Sequence, residues 1–339
     1  MTQNDVRVAV VGAGMMGADH ISRLTHRVSG AFVSAIVEPD AARADAAAAK
    51  APGAQTFASL EQAISADIVD AVLIATPGQF HEPVILPALE ANLPILCEKP
   101  LTQEPESSRR VLEAEQKLDK PHIQVGFMRR FDREYEQLRE LVTSNDAGEL
   151  VMLRCVHRNP SVPDAYHQNM LITDSVVHEF DVAPWLAGSD VTSVEVKHPR
   201  RNSLAPERLK EPILVIIELA NGVLVDVEMN VSIQFGYQVA TEAVFEKGTA
   251  RIGQPSGLER WQDGRVFQRE HADFTTRFAD AYDTEVQRWV RAVQNGTNVD
   301  GPNAWDGYKV ALACEAGVTA LNEGGIVQIP HEERPAFYA

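Results

Sequence analysis

A glycine triad near the start of the chain, Gly12-Ala13-Gly14-Met15-Met16-Gly17, limits the fold more than any other stretch. It follows the β-branched run Val6-Arg7-Val8-Ala9-Val10-Val11 and precedes a helical pattern over about 16–28. In that setting each glycine has a steric role. Gly12 permits a tight turn, Gly14 lets backbone approach a pyrophosphate, and Gly17 lets helix and strand pack closely. The helix N-terminus adds unpaired N–H groups and the positive end of its dipole. A dinucleotide site over Gly12, Gly14, Met16 and Gly17 is therefore expected. A glycine-rich turn with no ligand is the plainer alternative.

Strand-like and helix-like runs alternate beyond the triad. Strands are predicted at 31–37, 69–75, 95–97 and 122–125, with helices at 41–50, 82–91 and 104–118 between them. This alternation indicates a parallel sheet with helices on both faces. After about Gly126 the texture changes. Strand-like runs at 150–157, 192–198, 213–219, 223–231, 238–246 and 250–252 follow one another, and Asn221-Gly222 marks a hairpin. Two helical patterns, about 275–295 and 303–322, close the chain. The 339 residues suffice for two cored domains. The expected division is 1–126 for the nucleotide and 127–339 for substrate and oligomerisation, the last helices packing back on the first domain.

A net charge of −17 argues against nucleic acid or an anionic membrane as the main partner. Cys97, Cys155 and Cys314 are too widely spaced for a zinc pattern, and no disulfide framework is indicated. No metal is expected. The opening residues show no signal-peptide pattern, and no apolar run is long enough to span a bilayer. A reducing, cytoplasmic setting is the default expectation.

Glu38 ends the second predicted strand, about twenty residues beyond the glycines. A carboxylate there can accept hydrogen bonds from adenosine ribose hydroxyls and repel a 2′-phosphate, which favours NAD. Arg43 lies close enough to pair with such a phosphate and blurs the preference.

Two further segments carry chemistry. Glu98-Lys99-Pro100 follows the apolar run 93–97, so Lys99 falls at the carboxyl end of a strand, where cofactor and substrate meet in such sheets. A surface lysine at a strand end is the alternative. In Leu171–Trp185, Asp174, His178 and Asp181 are spaced i, i+4, i+7, which places them on one face if the segment is helical, with Ser175 as a possible cap. A histidine between carboxylates can take up a proton and be held in one tautomer. From the spacing alone, a helix-surface ladder of Asp and His is the better reading.

Together, the glycine triad, Glu98-Lys99-Pro100 and the downstream Asp-x-x-x-His-x-x-Asp resemble the glucose–fructose oxidoreductase/inositol dehydrogenase/MocA family. The resemblance spans essentially the whole chain. Val125–Asp132, His157-Arg-Asn-Pro160 and Gly301–Tyr308 point within it to inositol rather than a generic sugar. It implies a Rossmann domain plus an α+β domain with an open, mostly antiparallel sheet, assembled as a homotetramer through those sheets. It also implies NAD-dependent oxidation of the C2 hydroxyl of myo-inositol. Lys99 would stabilise the developing alkoxide, His178 would accept the proton, and Asp174 would bind a hydroxyl and complete the relay. Arg129, Asn159, Asp181, Tyr237 and Tyr282 would line the substrate pocket, although Tyr282 also reads as a core aromatic. Thr76, Pro77 and His81 match the family's nicotinamide-side loop, Glu98 and Lys99 would also meet the cofactor, and the Lys-Pro bond would be cis. Glu38 replaces the aspartate common in close relatives within that family. Oxidation of scyllo- or chiro-inositol or an aldose is the neighbouring alternative. A non-catalytic NAD-dependent sensor is the alternative of another class, and it has no need of Lys99, Asp174 and His178 together.

Overall fold

The computed structural model describes residues 5–255 and 257–339. By internal contacts the chain forms two units: Met1–Phe131 with Asp280–Ala311 and Glu333–Ala339, and Asp132–Ala279 with Leu312–Glu332.

Unit 1 alternates strand and helix: β1 (Val6–Val11), α1 (Met15–His26), β2 (Ala31–Val37), α2 (Ala41–Ala48), β3 (Gln55–Phe57), α3 (Leu60–Ser65), β4 (Ala71–Ile74), α4 (Glu82–Glu90), β5 (Ile95–Glu98), α5 (Pro105–Glu115) and β6 (Ile123–Gly126). All strands pair in parallel, in the order β3-β2-β1-β4-β5-β6. The central strands are apolar along their length because helices cover both faces. The short β3 and α3 were not expected: three residues are too few to show a strand period.

Unit 2 begins with α6 (Arg133–Ser144) and β7 (Leu150–Arg158), then α7 (Val177–Ala187), β8 (Val191–Lys197), β9 (Ile213–Leu219), β10 (Leu224–Asn230), β11 (Gln238–Phe245) and β12 (Gly248–Ile252). Next come a hairpin of β13 (Glu259–Gln262) and β14 (Arg265–Gln268), and the short α8 (Phe274–Arg277). The chain re-enters unit 1 along α9 (Ala279–Asn295), returns to unit 2 within α10 (Ala304–Glu323), and adds β15 (Ile326–Gln328). The seven-stranded sheet has the order β12-β11-β7-β10-β9-β8-β15. Only β7 and β10 pair in parallel; the rest is antiparallel. Ile213, Val215, Ile217 and Leu219 alternate buried along β9, as a sheet with one covered face requires. The expected hairpin at Asn221-Gly222 joins β9 to β10.

Besides the three-residue β15, three elements of the second half depart from the reading of the sequence. The unexpected α6 buries only Tyr135 and Leu138, a stripe too narrow to stand out in a charged segment. It is fixed at its start, where the Asp132 side chain caps it and Arg277 binds Asp132 and Glu134 at 2.8 and 2.9 Å. The helix expected over 275–295 breaks at Phe278 into α8 and α9, with Asp273 and Thr276 forming a capping box before α8. The hairpin of β13 and β14 turns at Asp263-Gly264, both at positive φ. Its Asp-Gly signal is plain in the sequence but has no apolar alternation beside it.

Within unit 1, Val286, Trp289 and Val290 of α9 join one core with Val8, Val10, Ile21 and Leu24. The chain end is tied down as well. Glu115, at the end of α5, is fully buried and accepts the backbone N–H groups of His122 and Ile123, both at 2.7 Å, and the Tyr338 hydroxyl at 2.7 Å. Burial pushes this carboxyl up from 4.5 to about 7 against the pull of those donors. The folded state thus holds the proton more tightly than the unfolded chain, so this group's contribution weakens as pH rises from about 4.5 to about 7. Between pH 5 and 8, wild type should lose roughly 1–3 kcal/mol of stability relative to Glu115→Gln, read from urea unfolding. A difference that stays constant with pH would contradict the assignment.

Candidate active site

The strand order of unit 1 reverses between β1 and β4, and open parallel sheets bind ligands outside the carboxyl ends at such a reversal. Gly12 follows β1 there, Thr76 and Pro77 follow β4, and Lys99 follows β5. A Cβ on Gly12, whose φ is +93°, would lie 2.8 Å from the Ala75 carbonyl oxygen. On Gly17 it would lie 1.9 Å from the Gly12 carbonyl oxygen, which is impossible without moving the helix. Gly14 has nothing within 4 Å of that position, so its backbone stays open to a ligand. Met16 is half-buried in the first turn of α1, which carries no acidic side chain. The positive helix end is left to an anion.

Glu38 is buried and already engaged. Its Oε2 accepts the Ala13 N–H at 3.0 Å, while Oε1 accepts the Asp40 N–H at 3.0 Å and Arg43 Nη2 at 2.8 Å. Burial pushes this carboxyl up, but the Arg43 and backbone hydrogen bonds outweigh it and hold it below the usual carboxylate range. Glu38 is therefore an anion at neutral pH, and it keeps Arg43 turned toward itself.

The strand-end loops are bound together by His81, which is fully buried. Its Nε2 lies 2.8 Å from the Thr76 carbonyl oxygen and its Nδ1 2.7 Å from that of Pro100. Thr76 Oγ1 is buried with no hydrogen-bond partner among the described residues, and Pro77 is exposed beside it. Such an orphan hydroxyl and the open Gly14 backbone fit a polar dinucleotide. Glu98 is buried at the end of β5, Lys99 is half-buried, and the Lys99–Pro100 bond is cis. Arg129 is buried in the turn after β6, and Tyr282 is buried on α9 against His20 and Arg23.

Unit 2 supplies the second group of residues. Leu171–Val176 forms a π-helical turn that runs into α7 at Val177. Ser175 therefore does not cap a helix; its hydroxyl pairs with the Tyr166 hydroxyl at 2.8 Å inside the π turn. A π turn takes more residues per revolution than an α turn, so the i, i+4 relation of Asp174 to His178 is not the α-helical one. Asp174 is half-buried, whereas His178 and Asp181 are buried. The ring of His178 lies 6.2 Å from that of His157, which meets Tyr237 edge-on at 6.2 Å. His157 Nδ1 is 3.2 Å from Glu179 Oε2, both groups being buried. Asn159 Oδ1 is buried with no partner among the described residues. Asn159, Tyr237 and His178 are thus carried by neighbouring parts of one unit.

Three polar residues in these surroundings were not singled out from the sequence: His20, paired with Glu98 at 2.7 Å, and the His157–Glu179 pair. His20 and Glu98 are 78 positions apart, and no local pattern joins them. Among the described residues no cluster of His, Cys, Asp or Glu is arranged to hold a metal, and no helix is long and apolar enough to cross a membrane.

A glycine-lined turn at the reversal of a 3-2-1-4-5-6 sheet, beside a strand-end lysine, is the architecture of a dinucleotide-binding protein. Comparison with known proteins gives the particular kind. The GFO/IDH/MocA model, described as an oxidoreductase family with an NAD-binding Rossmann fold, matches residues 6–127, and the corresponding C-terminal domain matches 135–251. The chain belongs to this family. It is 72% identical over 334 residues to an inositol 2-dehydrogenase of Corynebacterium glutamicum, covering 98% of this chain and 99% of that one. An inositol 2-dehydrogenase of Leifsonia xyli is 70% identical over 338 residues, covering 100% and 99%. A crystal structure of myo-inositol dehydrogenase from Lactobacillus casei in complex with NAD(H) and myo-inositol superposes with a TM-score of 0.96 at 32% identity, covering 99% and 100%.

Replacing Glu38 by Ser should remove the anion and release Arg43 toward a 2′-phosphate. The ratio of kcat/KM with NADP to that with NAD should rise at least about tenfold, the value of one charge-assisted hydrogen bond. A ratio that stays put would show that Glu38 does not set cofactor choice.

Proposed function

We propose that this protein oxidises the C2 hydroxyl of myo-inositol to the ketone with NAD. The full-length likeness to inositol 2-dehydrogenases carries this reading, and the strand-end lysine and buried histidine cluster supply the chemistry it needs. NAD, when bound, would supply the hydride acceptor. Gly12, Gly14, Met16 and Gly17 would hold its phosphates, and Glu38 would hold its adenosine ribose. Thr76, Pro77, His81 and Glu98 form and brace the loops on the nicotinamide side.

Lys99 hydrogen-bonds the reacting oxygen and offsets the negative charge that develops as the hydride leaves. His178 accepts the hydroxyl proton, and Asp174 binds a neighbouring hydroxyl and completes the relay. The ring of His178 sits beside the buried His157–Glu179 pair, which limits its movement. Arg129, Asn159, Asp181, Tyr237 and Tyr282 bind the remaining hydroxyls. The orphan Oδ1 of Asn159 favours this, because a buried acceptor without a donor invites a hydroxyl. We further propose that residues 127–339 carry the substrate and oligomer surfaces and that the chain forms a homotetramer through its seven-stranded sheets, testable by light scattering. NADH production with myo-inositol against scyllo-inositol tests the substrate.

Two variants test the roles. Lys99→Ala should lose roughly 10²–10³-fold in kcat while NAD still binds. His178→Ala should lose roughly 10²–10⁴-fold and flatten the acid limb of the pH–rate profile, because an unprotonated base is needed when the hydride departs. Near-wild-type turnover in the first, or a retained acid limb in the second, would move the role elsewhere.

A further inference from the structure

His20 lies three residues beyond Gly17 on α1 and is only 1% exposed. Its Nε2 meets Glu98 Oε1 at 2.7 Å, and the other oxygen of that carboxylate accepts the Lys99 backbone N–H at 3.2 Å. Nδ1 of His20 is buried with no partner among the described residues. With Glu98 ionised the carboxylate can only accept, so Nε2 of His20 is the donor in this pair.

Both members of the pair are confined. A Cβ at Gly126 on β6 would come within 3.2 Å of Glu98 Oε2 and of its Cα, tight enough that the carboxylate would have to give by a few tenths of an ångström. The Tyr282 ring packs edge-on against His20 at 6.1 Å, and the Arg23 guanidinium lies over Tyr282, 5.3 Å from its centre. A buried carboxylate needs donors, and the hydrogen bond from His20 supplies one.

We propose that His20 is a positioning residue for Lys99, acting through Glu98. The pair fixes the peptide from which the lysine side chain starts, and it fixes it to α1, the helix that follows the nucleotide turn. The lysine is thereby aligned to the same element that holds the cofactor phosphates. This rests on the assignment of Lys99 to the reacting oxygen. A displacement of about 1 Å in such a group can cost on the order of 10²-fold in rate.

The test compares His20→Ala, His20→Gln, Lys99→Ala and the double variant His20→Ala/Lys99→Ala. Three quantities are read: kcat, the NAD dissociation constant, and the rate at which acetic anhydride modifies Lys99 in the cofactor-free protein, by mass spectrometry. His20→Ala should lower kcat by roughly 10–100-fold and change the Lys99 modification rate, leaving NAD affinity within about threefold. His20→Gln, whose amide can still donate to Glu98, should recover most of both. In the Lys99→Ala background, His20→Ala should cost less than about twofold more, the margin for independent sites. If His20→Ala does not fold, His20→Asn replaces it, because its shorter amide falls short of Glu98. A wild-type modification rate in the Ala or Asn variant, or full additivity with Lys99→Ala, would overturn the proposal. Modification is read without substrate. Failure of wild type to oxidise inositols would therefore strike the function proposed above and leave this measurement standing.

Discussion

Gly17 presses so closely on the Gly12 carbonyl that a single methyl group would stand 1.9 Å from the oxygen. This steric limit fixes the angle and depth at which α1 leaves β1. It aims the N-terminus of the helix past Gly14, whose surroundings are open, and seats Ile21 and Leu24 on the strands. Burial of apolar area drives that packing, but the absence of a side chain at Gly17 permits it. The nucleotide turn, the core beneath it and the pairing of His20 with Glu98 all follow from where this helix lies.

Electrostatics then set how the acidic side chains beside that turn are held. Glu38 spends its carboxylate on two backbone N–H groups and Arg43, and it remains an anion because those donors outweigh the effect of burial. Glu98 divides its two oxygens between His20 and the Lys99 backbone. In each case a buried charge is tolerated because both oxygens have donors, and the donors become oriented in return.

In unit 2 the equivalent constraint is the π turn before α7. It seals Ser175 against Tyr166 and leaves His178 buried near His157, whose partner Glu179 is itself inaccessible. A regular α-helix with Asp174, His178 and Asp181 along one stripe would present them differently, because the phase of a helix shifts wherever a turn gains a residue.

The sequence by itself determined most strands and helices of the parallel sheet, though not β3 and α3, together with the glycine turn, the strand-end placement of Lys99 and the antiparallel character of most of the second sheet. These are local matters: β-branched runs, glycine sterics and an Asn-Gly turn act over a few residues. Short or polar elements escaped it. The β3 strand shows no period, α6 hides its Tyr135 and Leu138 stripe among charges, and Phe278 interrupts a pattern that looks continuous. Only the tertiary structure decided which distant polar groups meet. His20 reaches Glu98 across 78 residues, His157 reaches Glu179 across 22, and Tyr338 reaches Glu115 across 223. Such pairs exist because a folded interior leaves a buried charge no water to turn to, and that requirement is written in three-dimensional packing rather than in the spacing of residues along the chain.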